Sequence, residues 1–196
     1  MSRPPSPPPG AKSGRRCCAR SKISLSLEGE GRGEGDRQWI IALELELGGT
    51  MKLYTIGFTQ KTAEQFFGLL RENQIARLVD IRLRPDGQLA GFARRVDLPY
   101  FLWELADACS YIHMPELAPT DAILDEYRKS KDWKQFFSRF AQLLDERNIP
   151  ATLDRAGFEA ASNVLLCSEA SPEHCHRRVV AERLASAWPG VEIIHL

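Results

Sequence analysis

Short apolar runs alternate with segments of helical periodicity from Met51 onward, and this alternation is what most restricts the fold of the chain. Each apolar run has the length of one buried strand, and each intervening segment repeats its apolar residues at helical spacing. Buried strands that alternate with helices are typical of a mostly parallel sheet with helices on both faces. Residues 51–196 are therefore predicted to form a single, Rossmann-like three-layer α/β domain with about five strands, at 52–56, 77–81, 111–113, 163–167 and 191–195.

Polar residues that favour helix N-termini mark where the intervening helices begin. Thr62 and Gln65 stand three residues apart before an apolar run, which is the pattern of a capping box. Ser171 followed by Pro172 predicts the start of a helix over residues 172–187, because serine is a favoured N-cap and proline is tolerated in the first turn. Further predicted N-caps are Asp97, Thr120 and Asp132.

The first 50 residues differ in composition from the rest of the chain. They contain 5 of the 12 prolines and 8 of the 14 glycines. Such a segment buries too little apolar surface to offset the entropy of ordering it. It also lacks the apolar stretch of ~7–15 residues that a secretory signal needs. We therefore expect residues 1–50 to be a disordered leader, or to precede a true start at Met51.

Charge and cysteine usage narrow the class of protein. The 26 basic and 26 acidic residues balance, which removes the bulk-charge argument for nucleic acid or an anionic membrane as partner. The longest apolar run of the first 50 residues, 39–43, is far shorter than the ~20 residues that span a bilayer. Five cysteines, an odd number, indicate reduced thiols rather than a disulfide framework. We therefore expect a cytoplasmic protein with no membrane partner.

Chemically active side chains follow the predicted strands at the points where the strands end. Because right-handed crossovers bring the carboxyl ends of parallel strands to the same edge, these side chains are expected to lie together. That edge is where ligands bind in open α/β sheets. The residues concerned are Gly57, Thr59, Asp80, Arg82, His113, Cys167 and Glu169, joined from the next helix by Cys175, His176 and Arg177.

Cys175 is the candidate nucleophile of this group. Its predicted position in a first helical turn, with Arg177 nearby, would lower the pKa of its thiol. Alternatively, it is a small apolar residue packed against the sheet. Glu169 is the other candidate for the chemistry, and Asp80 is a candidate acid or base. The candidate accessory residues are Cys167, His176, His113 and Tyr54.

Two arginines are candidates for holding an anion. Asp80 and Arg82 stand two residues apart at a strand end and so face the same side. Their ion pair either orients Arg82 toward an anion or ties the following loop to the sheet. Arg177, near a helix N-terminus, is a second candidate clamp for phosphate or carboxylate. Gly57 and Thr59 complete the predicted anion site.

Metal, redox and cofactor chemistry are less favoured by the pattern. The side chains of Cys167, Glu169, Cys175 and His176 suit zinc, but adjacent residues on a helix point about 100° apart. The spacing of Cys167 and Cys175 matches no thiol-exchange motif. The chain has no G-x-G-x-x-G or G-x-x-x-x-G-K pattern, and Glu173 stands where a Cys-x5-Arg loop needs arginine. We therefore predict neither a metal nor a cofactor.

Three blocks of the sequence stand out at the predicted strand ends. They are Tyr54-Thr55-Ile56-Gly57, Leu78-Val79-Asp80-Ile81-Arg82, and Leu165-Leu166-Cys167-Ser168-Glu169 with Cys175-His176-Arg177. In this order they resemble the signature of a known family, the domain of unknown function 488. The resemblance covers residues 52–196 and implies a compact, bacterial or archaeal, cytosolic α/β protein without an established activity. Many members have Gly-His-Ser after the first strand, so a role for that imidazole cannot be transferred to Phe58, while Thr59 keeps a hydroxyl.

Two functions remain open at this point. The first is a small enzyme that acts on a phosphorylated or nucleotide-like substrate at the carboxyl edge of the sheet. The second is a non-catalytic module that binds nucleic acid or a nucleotide through the same basic edge. The sequence leaves the oligomeric state open.

Overall fold

A five-stranded parallel sheet forms the centre of the molecule. The computed structural model describes residues 50–196, apart from the side chains of Gln88 and Leu89. The prediction that residues 1–50 form a disordered leader therefore concerns residues outside the described part of the chain, apart from Thr50. The sheet order is β3-β2-β4-β1-β5, and every neighbouring pair is parallel. The strands are β1 (Met51–Gly57), β2 (Arg77–Asp80), β3 (Ser110–His113), β4 (Asn163–Cys167) and β5 (Val191–His195).

Helices connect these strands, and the predicted α/β fold is confirmed. Short 3₁₀ segments also occur at Gln88–Ala93 and Pro115–Leu117. The α-helices are α1 (Ala63–Glu72), α2 (Leu98–Leu105), α3 (Asp121–Ser130), α4 (Trp133–Glu146), α5 (Arg155–Glu159) and α6 (His176–Ala187). Among the described residues, no helix combines the length and the apolar character needed to cross a membrane.

Three of the predicted helix caps form as expected. Thr62 and Gln65 make the complete capping box at the start of α1. The side chains of Thr120 and Asp132 accept hydrogen bonds from Ile123 N and Gln135 N, at 3.4 and 3.0 Å. Asp97 does precede α2, but its side chain makes no capping hydrogen bond. Local polar patterns thus located these helix starts.

The start of α6 differs from the prediction. The helix begins at His176 rather than Pro172, and Cys175 is its N-cap, in an extended conformation with φ −122° and ψ 139°. Ser171 is not the cap, because its hydroxyl accepts a hydrogen bond from Glu173 N (3.2 Å) in a turn before the helix. Serine stabilises such turns by the same local bond with which it caps helices, so the sequence pattern alone does not distinguish them.

The two faces of the sheet pack against different helices. Alternate strand residues point to opposite faces, which separates the core into two apolar clusters. Leu53, Val79 and Leu165 lie in a cluster with residues of α3, α4 and α6. Tyr54, Leu78 and Val164 lie in a cluster with residues of α1 and α2. By the same alternation, Cys167 belongs to the face with Leu165, and Asp80 to the face with Leu78.

Candidate functional site

The carboxyl ends of β1, β2, β3 and β4 meet at one edge of the sheet. Gly57 is level with Cys167, and Asp80 is level with both Leu166 and His113. A cavity of about 220 Å³ opens at this edge, between the strand ends and helices α3, α4 and α6. Its lining includes Arg82, Arg84, Asp121, Tyr127, Arg128, Phe136, Cys167, Glu169, Cys175 and His176.

A larger depression lies along α1. It measures about 1110 Å³ and is lined by residues of α1, by Gln60 and Lys61 before that helix, and by Leu105 and Asp107. Its lining contains no thiol and no imidazole. The cavity at the strand ends is therefore the place where the reactive side chains of the described residues collect, although it is smaller.

Cys167 and His176 form a close thiol–imidazole pair in this cavity. The distance between Cys167 Sγ and His176 Nδ1 is 3.3 Å. The other ring nitrogen, Nε2, lies 2.9 Å from the carbonyl oxygen of Ile81. Because a carbonyl oxygen only accepts hydrogen bonds, Nε2 carries a proton and donates a hydrogen bond to Ile81 O. Nδ1 therefore faces the thiol, either as acceptor of its proton or, after proton transfer, as donor to the thiolate.

The surroundings of Cys167 favour the thiolate. Burial alone would raise the pKa of this thiol, but hydrogen bonds from Cys175 and His176, together with the charge of His176, hold the pKa well below its usual value. Burial likewise opposes the charged form of His176, yet the neighbouring Cys167 thiolate raises the pKa of the imidazole. Both shifts are in the direction that favours transfer of the proton from the Cys167 thiol to His176.

Cys175 occupies a different electrostatic position from the one predicted. It is buried at the N-cap of α6, and Arg177 Nη1 donates a hydrogen bond to its sulfur at 3.6 Å. The hydrogen bond to Cys167, burial and the Cys167 charge raise the pKa of Cys175, and they outweigh the opposing charge of Arg177. Of the two thiols, Cys167 is therefore the one that contacts an imidazole and whose pKa is lowered.

Arg177 holds the loop that follows β4. The residue is fully buried, and its guanidinium donates from Nη1 to Glu169 O and from Nη2 to Ala170 O (3.0 Å). Its Nε is buried with no hydrogen-bond partner among the described residues. Because an external anion would have to displace these carbonyls, the contacts favour a loop-holding role, and anion binding by Arg177 stays a prediction.

Gly57 and Thr59 contact the same loop from β1. A Cβ atom on Gly57 would lie 1.7 Å from Glu169 O and 2.8 Å from Arg177 Nη1, so a side chain has no room here. The hydroxyl of Thr59 donates to Ser168 O, and the Thr59 N–H donates to the same oxygen at 3.1 Å. In this structure, both predicted anion-site residues support the β4 loop.

Asp80 and Arg82 form a buried, bidentate ion pair. The guanidinium donates from Nε and Nη2 to the two carboxylate oxygens at 2.8 and 2.6 Å, and also to Ala93 O at 2.7 Å. Tyr111 donates its hydroxyl to Asp80 at 2.8 Å. The ring of Phe58 lies 5.3 Å from the guanidinium carbon. These contacts match the structural alternative, in which the pair ties the loop after β2 to the sheet.

The remaining predicted residues occupy distinct places. His113 Nε2 lies 2.9 Å from the Arg82 carbonyl oxygen, which adds a further support to the loop after β2. Tyr54 is buried in the middle of β1, within the core on the α1 and α2 side. Glu169 is exposed and borders the cavity. The structure therefore brings Cys167, Glu169, Cys175 and His176 together at the cavity, while Tyr54 and His113 are not part of its lining.

Several residues of the site carry no local signal in the sequence. Tyr111 reaches Asp80 only because β3 pairs with β2. Arg84 and Arg128 border the cavity in exposed ion pairs with Asp121 and Asp125, at 2.8 and 2.7 Å. Exposed pairs of this kind contribute about 0–1 kcal/mol, so a bound anion can compete for these guanidiniums. They are better placed for anion binding than the buried Arg82 and Arg177.

Three potential metal ligands lie close together. The ligand atoms of Cys167, Cys175 and His176 are all within 4.8 Å of one another. The 100° spacing of adjacent side chains disfavours a shared ion only if Cys175 and His176 are both helical. That premise is wrong, because Cys175 is extended at the N-cap and its side chain does not follow the helical spacing.

Comparison with known proteins gives a family but no activity. A family model described as "Domain of unknown function DUF488" matches residues 62–184, more than half of the chain. No curated protein and no solved structure matches the chain. The matched range contains the Asp80–Arg82 and Cys167–Arg177 blocks, and the block that ends at Gly57 lies before it.

Gly57→Ala is expected to destabilise the protein, because its methyl group would overlap Glu169 O and displace the loop that Arg177 holds. Forced overpacking of this kind costs about 1–3 kcal/mol. Gly68→Ala is the matched control, since a Cβ there meets nothing within 4 Å and glycine lies in the middle of α1. The control should gain about 0.5–1 kcal/mol. Urea unfolding measures both, and equal effects would contradict the close approach at Gly57.

Asp80→Asn is expected to lower the free energy of unfolding by about 3–5 kcal/mol, because it leaves the buried Arg82 charge uncompensated. Asp125→Asn removes the partner of Arg128 in an exposed pair and should cost no more than about 1 kcal/mol. Thermal or urea unfolding of the two variants tests the difference. A loss at Asp80 as small as that at Asp125 would show that the buried pair does not support the fold.

Proposed function

The chain belongs to the family described as Domain of unknown function DUF488, whose description names no activity, and we propose its function from the site itself. The protein is a small thiol-dependent enzyme that acts on a phosphorylated or nucleotide-like substrate at the carboxyl edge of the sheet. Cys167 is the nucleophile, and His176 is its proton acceptor and donor.

The contact between Cys167 Sγ and His176 Nδ1, at 3.3 Å, is the observation that carries this proposal. Nucleophilic catalysis needs a nucleophile within hydrogen-bond reach of a base, and a third group that orients the base. Here the carbonyl of Ile81 orients the ring through Nε2. The pair borders a cavity, so a small substrate has a route to the sulfur.

The reaction follows from the roles of these two groups. The Cys167 thiolate attacks an electrophilic atom of the substrate, and the leaving group takes the proton of the His176 imidazolium. Water then attacks the covalent intermediate, gives its proton to His176 and releases the thiolate. The exposed carboxylate of Glu169 borders the same cavity and is assigned the orientation of this water. Asp80 and Arg82 hold the neighbouring loop and receive no chemical step.

The cavity supports a small anionic substrate. Its volume of about 220 Å³ is below the ~300–1,000 Å³ of typical drug-sized sites, which favours a ligand no larger than a mononucleotide. Arg84 and Arg128 border it and can exchange their exposed carboxylate partners for phosphate oxygens. Among the described residues, no specific observation favours the non-catalytic nucleic-acid module, so that alternative becomes an outcome of the test.

Cys167 is expected to react with iodoacetamide faster than the other described thiols. In the full-length Cys17→Ser/Cys18→Ser protein treated with a chelator, the rate of alkylation of Cys167 at neutral pH should be roughly tenfold or more above that of Cys109, since only thiolates react. Cys109 is the internal comparison, because burial raises its pKa to about 11. His176→Gln should slow the alkylation of Cys167 by roughly tenfold. Peptide mapping by mass spectrometry measures the rates, and faster reaction at Cys175 would contradict the assignment.

A screen of phosphorylated metabolites and mononucleotides tests the activity directly. Turnover of a substrate should disappear in Cys167→Ser and fall by about 10²–10⁴-fold in His176→Gln. Arg84→Ala should raise KM by roughly tenfold to a hundredfold, the effect of one lost charge-assisted hydrogen bond. Arg155→Ala is the matched control, because Arg155 forms an exposed ion pair with Glu159 and does not line the cavity.

Two outcomes of this screen would contradict the proposal. Turnover that persists in Cys167→Ser would assign the chemistry to another group. Binding of short oligonucleotides by the folded wild type, with no turnover of any small substrate, would support the nucleic-acid module instead.

A further inference from the structure

Three side chains of metal-binding type lie together in the lining of the cavity. Cys167 ends β4, Cys175 is the N-cap of α6, and His176 is the first residue of that helix. Their ligand atoms all lie within 4.8 Å of one another. Two thiolates and an imidazole form one of the ligand sets that zinc accepts, with a fourth position left for water or another ligand.

The orientation of His176 is the one that a metal ligand requires. Its Nε2 donates to the Ile81 carbonyl at 2.9 Å, which fixes the ring and turns Nδ1 toward the Cys167 sulfur, 3.3 Å away. Metal-bound histidines nearly always donate their other ring N–H to a carboxylate, a backbone carbonyl or water in this way. The outer partner of a metal-binding imidazole is therefore already in place.

The distances require little rearrangement. A tetrahedral ion with Zn–S of ~2.3 Å and Zn–N of ~2.0 Å separates its ligand atoms by roughly 3.5–3.8 Å. Cys167 Sγ and His176 Nδ1 are 3.3 Å apart, and no pair in the cluster exceeds 4.8 Å. The largest adjustment is therefore about 1 Å, which side-chain rotation of Cys175 at its extended N-cap position can supply.

Charge also favours a divalent cation. A divalent ion that replaces the two thiol protons is bound by two thiolates and a neutral imidazole, so the ion and its three ligands together carry no net charge in this buried place. Arg177 Nη1 lies 3.6 Å from Cys175 Sγ and donates to it, so this contact opposes the surroundings that keep Cys175 protonated and favours the deprotonated sulfur that an ion would bind. The cluster thus has both the ligands and the outer contacts of a neutral metal site.

We propose that Cys167, Cys175 and His176 bind one zinc-class divalent ion, whose fourth coordination position faces the cavity. A bound ion uses the electron pair of the Cys167 sulfur, so it withdraws this group from nucleophilic chemistry. The inference goes beyond the proposed function, because the same three atoms bind the ion whether or not Cys167 attacks a substrate.

Cobalt(II) titration of the full-length Cys17→Ser/Cys18→Ser protein tests the site, since that background removes the two cysteines outside the described residues. One equivalent of Co²⁺ should produce the intense visible absorption of a tetrahedral ion and a thiolate-to-cobalt charge-transfer band. Zn²⁺ should displace it. Zn²⁺ should also protect Cys167 from iodoacetamide, a result that needs no substitution within the site.

Variants in the same background identify the ligands. Cys175→Ser should reduce the charge-transfer band and weaken Co²⁺ binding. The loss should exceed the ~10–100-fold that is typical when a residue that only hydrogen-bonds to a metal ligand is replaced. Cys109→Ser is the matched control and should change neither, because Cys109 belongs to the core on the α1 and α2 side. Circular dichroism verifies that each variant is folded, and His176→Gln replaces Cys175→Ser if the latter does not fold.

Any of three results would overturn the inference. The first is the absence of a charge-transfer band in the folded parent protein. The second is a Co²⁺ affinity that does not change in a folded ligand variant. The third is alkylation of Cys167 at the same rate with and without Zn²⁺. None of them decides the proposed function, which depends on the reactivity of Cys167 in the chelated protein. Conversely, an unreactive Cys167 in that protein leaves the metal spectra as an independent result.

Discussion

The buried guanidinium of Arg177 is the contact on which the rest of the site depends. It donates to Glu169 O and Ala170 O, so it folds the loop after β4 back onto the first turn of α6. It also donates to the sulfur of Cys175. Gly57 leaves the space for this arrangement, because a Cβ there would overlap both the loop and the guanidinium. Arg177 thus joins the β4 loop to α6, while the two hydrogen bonds from Thr59 to Ser168 O tie the same loop to the segment that follows β1.

Two arginines thus organise opposite faces of the same edge, and each holds a loop; anion binding by either of them stays a prediction. Arg82 and Asp80 hold the loop after β2 on the α1 and α2 side, where Phe58 covers the guanidinium. On the other side, the Cys167–His176 pair borders the cavity and is fixed by the Ile81 carbonyl. Buried charges hold the loops, while the Cys167 sulfur borders the cavity. For the function proposed above, this division supplies the preorganised support that catalysis needs.

Much of the fold and part of the site could be predicted from the sequence. β4 and β5 occupy the predicted ranges, and the capping box of Thr62 and Gln65 forms as expected. The start of α6 could not be predicted, because Ser171 stabilises a turn with the same kind of bond that it would make as a cap. That error moved Cys175 into a helical turn. For this reason Cys175, and not Cys167, was predicted to be the thiol with the lowered pKa. The same error made a metal ion shared by Cys175 and His176 look geometrically unfavourable.

By itself, the sequence determined the α/β architecture, because apolar periodicity and helix capping are local properties of the chain. It also determined the edge at which the polar residues collect, because right-handed crossovers between parallel strands bring the carboxyl ends of the strands to one edge of the sheet. Only the tertiary structure decided which thiol is activated and what each arginine holds. Those properties depend on partners that are distant in the chain, such as His176 and Ile81, which are 95 residues apart. The pKa of a buried thiol and the partners of a buried guanidinium are set by such neighbours, and no local pattern records them.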